Sequence, residues 1–185
     1  MNTATKKVSL HTRLAEYFYS VFSYLLICMC CVFLLFCFFF RLVSVDGASM
    51  YPNLYNNDKL IVSNFLYTPA YGDIIAIGRA NAEESSIIKR VIALGGDTVN
   101  INFDSHLITV NDEVITENYP VEGKIEAAGD FSYPLTVPEN CVFVLGDNRN
   151  NSVDSRYESV GFIKLDEITG KALIRLYPPG SFNIY

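Results

Sequence analysis

Histidine and cysteine, which build many catalytic triads and zinc sites, are scarce in this sequence. It has two histidines and five cysteines, and four of those cysteines lie within residues 28–37, inside one apolar run. Beyond that run there are only His106, at a predicted hairpin turn, and Cys141. A Ser-His-Asp triad and a zinc site, which needs clustered Cys or His, therefore lack material. The chain after the run also cannot form an internal disulfide, so packing must hold its fold.

Positive charge is scarce beyond residue 45. Residues 1–45 carry four basic and one acidic residue, net +3, whereas residues 46–185 carry ten basic and nineteen acidic residues, net −9. An acidic domain is a poor partner for nucleic acid, or for anionic lipid bound through a basic patch. We therefore expect no nucleic-acid partner.

A calcium site is also excluded. Acidic residues stand at the first and twelfth positions of residues 147–158, as in a calcium-binding loop. However, Arg149 occupies a ligand position, and Ser152 replaces the glycine that such a loop requires. We expect no metal and no cofactor.

The long apolar run itself covers residues 17–40, without a charge, glycine or proline. As a helix it would reach about 36 Å, enough to cross a hydrocarbon core of about 30 Å. A cleaved signal peptide has a shorter apolar region and a small-residue cleavage site, and a buried core helix is seldom apolar on every face. The run therefore predicts a single transmembrane anchor.

Flanking charge predicts the orientation of this anchor. Lys6, Lys7 and Arg13 precede it, and only Arg41 follows closely. Because the more basic side tends to stay cytoplasmic, we expect a cytoplasmic tail at residues 1–16 and an extracytoplasmic domain at 43–185. The protein would then be a single-pass protein of the cell membrane.

After the anchor, short runs rich in Ile, Val, Tyr and Phe alternate with turn signals, which predicts a mainly β domain. We see no long amphipathic helix after residue 42, and 165–169 could form one turn. Residues 98–138 are interpreted as an inserted hairpin region that ends either in a flap-like subdomain or in a long loop. The predicted strands are 59–63, 73–77, 86–94, 98–103, 107–111, 113–116, 141–145, 161–165 and 171–177.

Two residues have the types needed for a nucleophile and its base. Ser49 lies in a glycine-containing loop that Pro52 stiffens, although such a serine is common in any loop. Lys89 lies in an otherwise apolar strand and shares a face with Ile87 and Val91. Burial would lower the pKa of Lys89 from about 10.4 by about 2–3 units, which leaves neutral amine near pH 8. The alternative is a lysine that extends from a strand edge into water.

A polar loop at residues 146–156 follows the apolar run 141–145. Its last ten residues contain two Asp, two Arg, two Ser and three Asn. Carboxylates that face arginines would form charge-assisted hydrogen bonds and hold the loop rigid. A merely solvated loop is the alternative.

In this order after an N-terminal anchor, these segments resemble the bacterial type I signal peptidases. The resemblance covers most of residues 44–177. The matching segments are Ser49-Met50-Tyr51-Pro52, Gly72-Asp73-Ile74-Ile75, Lys89-Arg90-Val91-Ile92 with Gly96-Asp97, and Gly-Asp-Asn-Arg followed by Ser-x-Asp-Ser-Arg within 146–156.

The resemblance implies a Ser-Lys serine endopeptidase. Ser49 would attack the scissile carbonyl, Lys89 would be the general base and later the general acid, and Ser152 would orient Lys89. The fold would be an anchor helix followed by coiled antiparallel β-sheets with a smaller inserted hairpin region. The residues implied to support the site are Asp147, Arg149, Asp154 and Arg156.

The implied substrates are signal peptides of exported preproteins, with small residues at −3 and −1. The implied partners are the lipid bilayer and, by proximity, the secretion translocon. An apolar pocket selects small side chains mainly by exclusion. By position, the residues expected to line these pockets are Val43, Val45, Met50, Leu54, Ile87 and Ile88.

Three positions depart from the family pattern, and one of them concerns a donor to the oxyanion. Gly47 stands where some members have a serine that donates to the oxyanion, so the hole would depend on the backbone N–H of Ser49. Asn53 replaces the usual Thr, and Gly95 replaces the usual Pro. One alternative is a non-catalytic relative that acts in protein assembly, which loss of Ser49 or Lys89 would have marked. Another is a related Ser-Lys hydrolase, such as a self-cleaving regulator, but no DNA-binding module is visible.

Overall fold

A computed structural model describes residues 10–78 and 86–178. The chain divides into two units between Phe39 and Phe40. The helix is α1, Leu10–Phe39, and a single 3₁₀ turn follows much later at Leu165–Glu167. The strands are β1 Phe40–Ser44, β2 Lys59–Ser63, β3 Ile74–Ile77, β4 Ile87–Leu94, β5 Thr98–Asn102, β6 Leu107–Val110, β7 Glu113–Val114, β8 Leu135–Thr136, β9 Cys141–Leu145, β10 Ile163–Lys164 and β11 Ile168–Tyr177.

Helix α1 contains the predicted anchor and begins earlier than the uncharged run. Its segment Arg13–Phe39 has a mean hydropathy of 2.7 and is long and apolar enough to cross a membrane, by length and composition. The large apolar side chains along it are exposed. The helix ends at Phe39, one residue before the predicted end of the run, because Phe40 begins β1.

The first sheet has seven strands in the order β1-β2-β11-β3-β4-β9-β10, and each pair in it is antiparallel. Strand β4, which carries Lys89, lies between β3 and β9 and is buried along most of its length. One apolar cluster joins β1, β2, alternate positions of β3 and β4, and the loop that contains Met50 and Leu54. A second cluster, which includes Ile75 and Val91, packs together the other alternate positions.

The second sheet has four antiparallel strands in the order β7-β6-β5-β8 and lies within residues 98–138, the region interpreted as an insertion. Its inward side chains, such as Val99 and Ile108, pack against Ile92 and Phe143 of the first sheet. The mainly β fold expected from the sequence is therefore confirmed. The nine predicted strands all form, and β1 and β8 are two strands that the sequence patterns did not indicate.

Candidate active site

Ser49 lies in a tight turn between β1 and β2 that apolar side chains hold in place. Met50 and Leu54 are each 1% exposed and pack into the cluster under β1 and β2. The backbone N–H groups of Asn53 and Leu54 donate to the carbonyl oxygen of Met50 at 3.0 and 2.9 Å. Gly47 has a φ of +79°, a conformation that glycine adopts without strain. The serine hydroxyl therefore lies on a well-anchored loop, here called the nucleophile turn (residues 47–54).

Lys89 meets Ser49 directly. The Nζ atom of Lys89 donates a hydrogen bond to the Oγ atom of Ser49 at 2.7 Å. On β4, Lys89 lies opposite Ile75, which packs in the same cluster as Val91 and Ile87. The lysine is 3% exposed, so it does not extend into water as the alternative interpretation required.

The surroundings of Lys89 favour a neutral amine. Burial lowers the pKa of Lys89 from 10.5 to about 8, because desolvation disfavours the ammonium. The carboxylates of Asp154 and Asp147 act in the opposite direction, and the Arg156 guanidinium lowers the pKa further. A substantial fraction of the amine is therefore unprotonated near pH 8 and can accept the proton of the Ser49 hydroxyl.

Ser152 lies near Ser49, because Gly146 packs against both, and it is 8% exposed. Its hydroxyl is buried and makes no hydrogen bond to any of the residues that the structure describes, so the hydrogen bond to Lys89 that the resemblance implies is not formed. Gly146 packs against both serines, since a Cβ atom at position 146 would lie 2.2 Å from the Oγ of Ser152 and 2.5 Å from the carbonyl oxygen of Ser49. The site therefore has no room for a side chain at position 146.

Two buried ion pairs hold the polar loop. The Nε and Nη2 atoms of Arg90 each donate to one carboxylate oxygen of Asp147 at 2.7 Å, and the side chains of both residues are 0% exposed. Arg156 donates to both oxygens of Asp154 at 2.8 and 2.9 Å, also at 0% exposure. Bidentate pairs of this kind give geometric precision as well as attraction. The expected polar loop is thus pinned rather than solvated.

Residues 117–122, here called the strap, lie across this loop. The N–H of Glu122 donates to the carbonyl oxygen of Asp147 at 2.9 Å, and the N–H of Arg149 donates to that of Glu122 at 3.0 Å. Arg149 also forms an ion pair with Glu117, and its Nε donates to the carbonyl oxygen of Gly146 at 3.1 Å. Four of the five residues expected to orient Lys89 or support the site, all except Ser152, therefore make side-chain ion pairs that hold the loop.

The sequence pattern predicts no role for Arg90, Tyr119 or Asn148. The Arg90 guanidinium lies 3.7 Å from the centre of the Tyr119 ring, within cation–π range. The backbone N–H of Asn148 donates to the carbonyl oxygen of Ser49 at 3.0 Å. Arg90 could have been identified, because a second charge in an apolar strand is as unusual as Lys89. Tyr119 and Asn148 lie in irregular segments, where no periodic pattern marks a residue.

Five of the six residues expected to line substrate pockets lie in one cluster. Val43, Val45, Met50, Leu54 and Ile88 are all buried and pack together. Ile87 instead packs against the cluster on the other side of the sheet. The structure therefore brings Ile87 to a different face from the other five.

Gly47 does not add a free donor to the site. Its N–H donates to the Oδ1 of Asn56 at 3.0 Å, so it is already used within the turn. Among residues 10–78 and 86–178, no group of three or more His, Cys, Asp or Glu side chains could hold a metal ion. The chemistry that the described side chains offer is a serine nucleophile with a buried lysine base.

Known proteins resemble this chain in sequence. The sequence model of the family described as "Signal peptidase, peptidase S26" matches residues 15–177. Signal peptidase I P of Bacillus subtilis subsp. natto is 37% identical over 83% of this chain and 86% of its own length. Signal peptidase I T of Bacillus subtilis strain 168 is 37% identical over 76% of both chains. The crystal structure of a signal peptidase I from Enterococcus faecalis V583 aligns with this chain at 33% identity and a TM-score of 0.45. The alignment covers 57% of this chain and 97% of the Enterococcus chain.

Proposed function

The chain belongs to the peptidase S26 family of signal peptidases and is a serine endopeptidase that removes signal peptides; on that premise we propose that Ser49 and Lys89 form its catalytic dyad. The observation that carries this proposal is the 2.7 Å contact between the Oγ of Ser49 and the Nζ of a buried Lys89. A nucleophile within hydrogen-bond reach of a base is the arrangement that covalent catalysis requires.

The reaction begins with the neutral amine of Lys89. It takes the proton of the Ser49 hydroxyl while Oγ bonds to the scissile carbonyl carbon. The C–N bond then breaks, and the Lys89 ammonium returns the proton to the leaving nitrogen, which leaves an acyl-Ser49 ester. A water molecule, deprotonated by the same amine, attacks the ester and releases the signal peptide and Ser49. The backbone N–H of Ser49 is the donor proposed for the developing oxyanion.

We assign the cleavage position to small residues at −3 and −1. The buried side chains of Val43, Val45 and Ile88 pack tightly beside the nucleophile turn, so pockets among them are shallow. Shallow apolar pockets exclude large side chains and accept alanine. Ile87 packs against the other cluster, on the face of β4 that also carries Lys89.

The first experiment is cleavage of a peptide that contains Ala-x-Ala by the detergent-purified full chain, with the products identified by mass spectrometry. We expect a cut after the second alanine, and a rate that rises with pH through about 8, as the amine of Lys89 loses its proton. Ser49→Ala should lower kcat/KM at least about 10³-fold. The matched control is Ser105→Ala, an exposed hairpin serine, which should cleave like the wild type.

If the wild type and Ser49→Ala are equally inert on several preproteins, the dyad proposal fails and a non-catalytic role in assembly takes its place. Cleavage that survives in Ser49→Ala would point to a different nucleophile. Cuts at positions without small residues at −3 and −1 would contradict only the proposed pockets.

We propose that α1 spans the membrane with residues 1–16 in the cytoplasm and the catalytic unit outside. Support comes from the apolar segment Arg13–Phe39 and from the basic residues before it. A membrane tether would raise the effective concentration of enzyme and anchored preprotein for each other, close to the translocon.

Protease added to intact spheroplasts tests this orientation. We expect digestion of the catalytic unit and protection of an epitope fused before residue 1, until detergent opens the membrane. The reverse pattern, with a protected catalytic unit, would invert the topology. Release of the chain from washed membranes at high salt would contradict the span itself.

A further inference from the structure

The hydrogen bonds around the Ser–Lys pair converge on Asn53, a residue outside the expected catalytic and supporting set. Its side-chain Nδ2 donates to the Oδ2 of Asp147 at 2.7 Å and to the carbonyl oxygen of Pro120 at 2.8 Å. We propose, on the basis of the dyad function above, that Asn53 is a positioning residue whose amide locks the nucleophile turn to the Asp147 loop and to the strap.

Asn53 is joined to the backbone that carries Ser49. Its own N–H donates to the carbonyl oxygen of Met50, which directly follows the nucleophile, at 3.0 Å. The next residue, Leu54, is 1% exposed and anchors the turn in the core. A displacement of Asn53 therefore carries the Ser49 backbone with it.

Asp147, which accepts from the Asn53 amide, is held in place by its own partners. Asp147 accepts two hydrogen bonds from Arg90, the neighbour of Lys89 on β4. The N–H of Asn148, directly after Asp147, donates back to the carbonyl oxygen of Ser49 at 3.0 Å. These contacts form a closed ring through Ser49, Asn53, Asp147 and Asn148. The ring includes the nucleophile and also Asp147, the partner of Arg90 next to the base.

Each N–H of the Asn53 amide has an acceptor in this ring or in the strap. An amide has two N–H donors and a carboxylate has none, so aspartate at this position would have the same shape but could make neither bond. An ionised carboxylate would also repel Asp147. Removal of the amide leaves the acceptors of Asp147 and Pro120 without this donor and frees the turn to move.

A loosened turn should affect the chemical step more than substrate binding. A misplacement of about 1 Å can cost about 10²-fold in rate. Asn53 is not among the residues that cluster beneath the proposed pockets, so KM should change little. If the Ser49–Lys89 contact opens and water reaches the amine, Lys89 loses the desolvation that lowers its pKa, and the pH profile moves to higher pH.

The experiment compares the full-length wild type, Asn53→Ala and Asn53→Asp in detergent, on the Ala-x-Ala peptide. Rates are divided by the folded fraction, measured by circular dichroism. We expect kcat to fall about 10- to 100-fold in Asn53→Ala, at least as far in Asn53→Asp, with KM within about twofold and the rise in rate displaced to higher pH. The matched control is Asn102→Ala, which removes an amide that caps a distant hairpin turn through the N–H groups of Asp104 and Ser105.

Three results would overturn the positioning role: an unchanged kcat per folded molecule, a wild-type pH profile in both Asn53 variants, or an equal loss in Asn102→Ala. Ser49→Ala in the same series separates the two proposals. If the wild type cleaves, Ser49→Ala does not, and Asn53→Ala behaves like the wild type, only the Asn53 inference fails. If the wild type itself is inert, the proposed dyad fails first.

Discussion

Replacement of Lys89 by methionine is expected to abolish cleavage and, at neutral pH, to make the protein more stable. The activity loss should reach at least about 10³-fold in kcat/KM, because methionine cannot take the proton from Ser49. The gain in stability follows from the low pKa of Lys89, about 8 against 10.5 for an unburied lysine. At 1.36 kcal/mol per unit, the buried ammonium costs up to about 3 kcal/mol of folding free energy.

The sign of the pH dependence is fixed by which state binds more protons. Between pH 8 and 10.5 the folded state has lost the Lys89 proton, whereas the unfolded state still holds it. The free energy of unfolding of the wild type therefore rises with pH across this window. Below pH 8 both states are protonated and the full penalty remains. Lys89→Met has no such group, so its advantage should be largest below pH 8 and disappear by about pH 10.5.

Thermal and denaturant unfolding of the full chain in detergent, at several pH values, measures this difference. Lys171→Met is the matched control, since Lys171 is 40% exposed and its partner Asp73 keeps hydrogen bonds from the Tyr67 hydroxyl and the Ala70 N–H. Its effect should stay below about 1 kcal/mol with no step between pH 8 and 10.5. If Lys89→Met destabilises the protein at pH 7, Lys89 is not a costly buried cation. If the variant retains cleavage, Lys89 is not the base.

The apolar patterns of the sequence predicted nine of the eleven described strands but not β1 and β8, each of which lies at one end of its sheet. Strand β4 was predictable because Ile, Val and Leu surround its two charges over a full strand length. Strand β1 was missed because Phe40 and Leu42 continue the apolar composition of the helix before them, which hides the change of structure. Strand β8 has only two residues between Pro134 and Pro138, too few for a periodic signal.

The sequence predicts the Ser49–Lys89 dyad only through the ordered set of motifs shared with the signal peptidases. Ser49 and Lys89 are far apart in the chain, and no spacing rule predicts that their side chains meet at 2.7 Å. What local chemistry did predict was that a lysine in an apolar strand would have a lowered pKa. The strap contacts were beyond prediction, because the bridge between Glu122 and Asn148 joins two irregular segments with no alternating pattern.

Neutralisation of Asp154 should lower the stability of the protein and should also shift the pH profile of cleavage. Asp154 and Arg156 are both fully buried, so Asp154→Asn leaves the guanidinium as a buried charge without its counter-ion. Such a loss costs about 3–5 kcal/mol. The carbonyl oxygens of Ala127, Arg149 and Ser152 still accept from Arg156, which favours the lower end of that range.

The same substitution acts on Lys89. Among the charges that raise the pKa of Lys89, the carboxylate of Asp154 is the largest, so its removal should lower that pKa further below 10.5 than in the wild type. The rise of kcat/KM with pH should therefore move to lower pH, opposite in direction to the shift expected for Asn53→Ala.

Asp130→Asn, the same change at an exposed carboxylate that accepts from the N–H of Glu158, is the control and should leave both stability and profile almost unchanged. Profiles are recorded below the unfolding temperature of the variant. Two results would contradict the conclusion that this buried pair stabilises the fold and that Asp154 raises the pKa of Lys89. One is a loss of less than about 1 kcal/mol in the free energy of unfolding of Asp154→Asn. The other is a pH profile that stays in place or moves to higher pH.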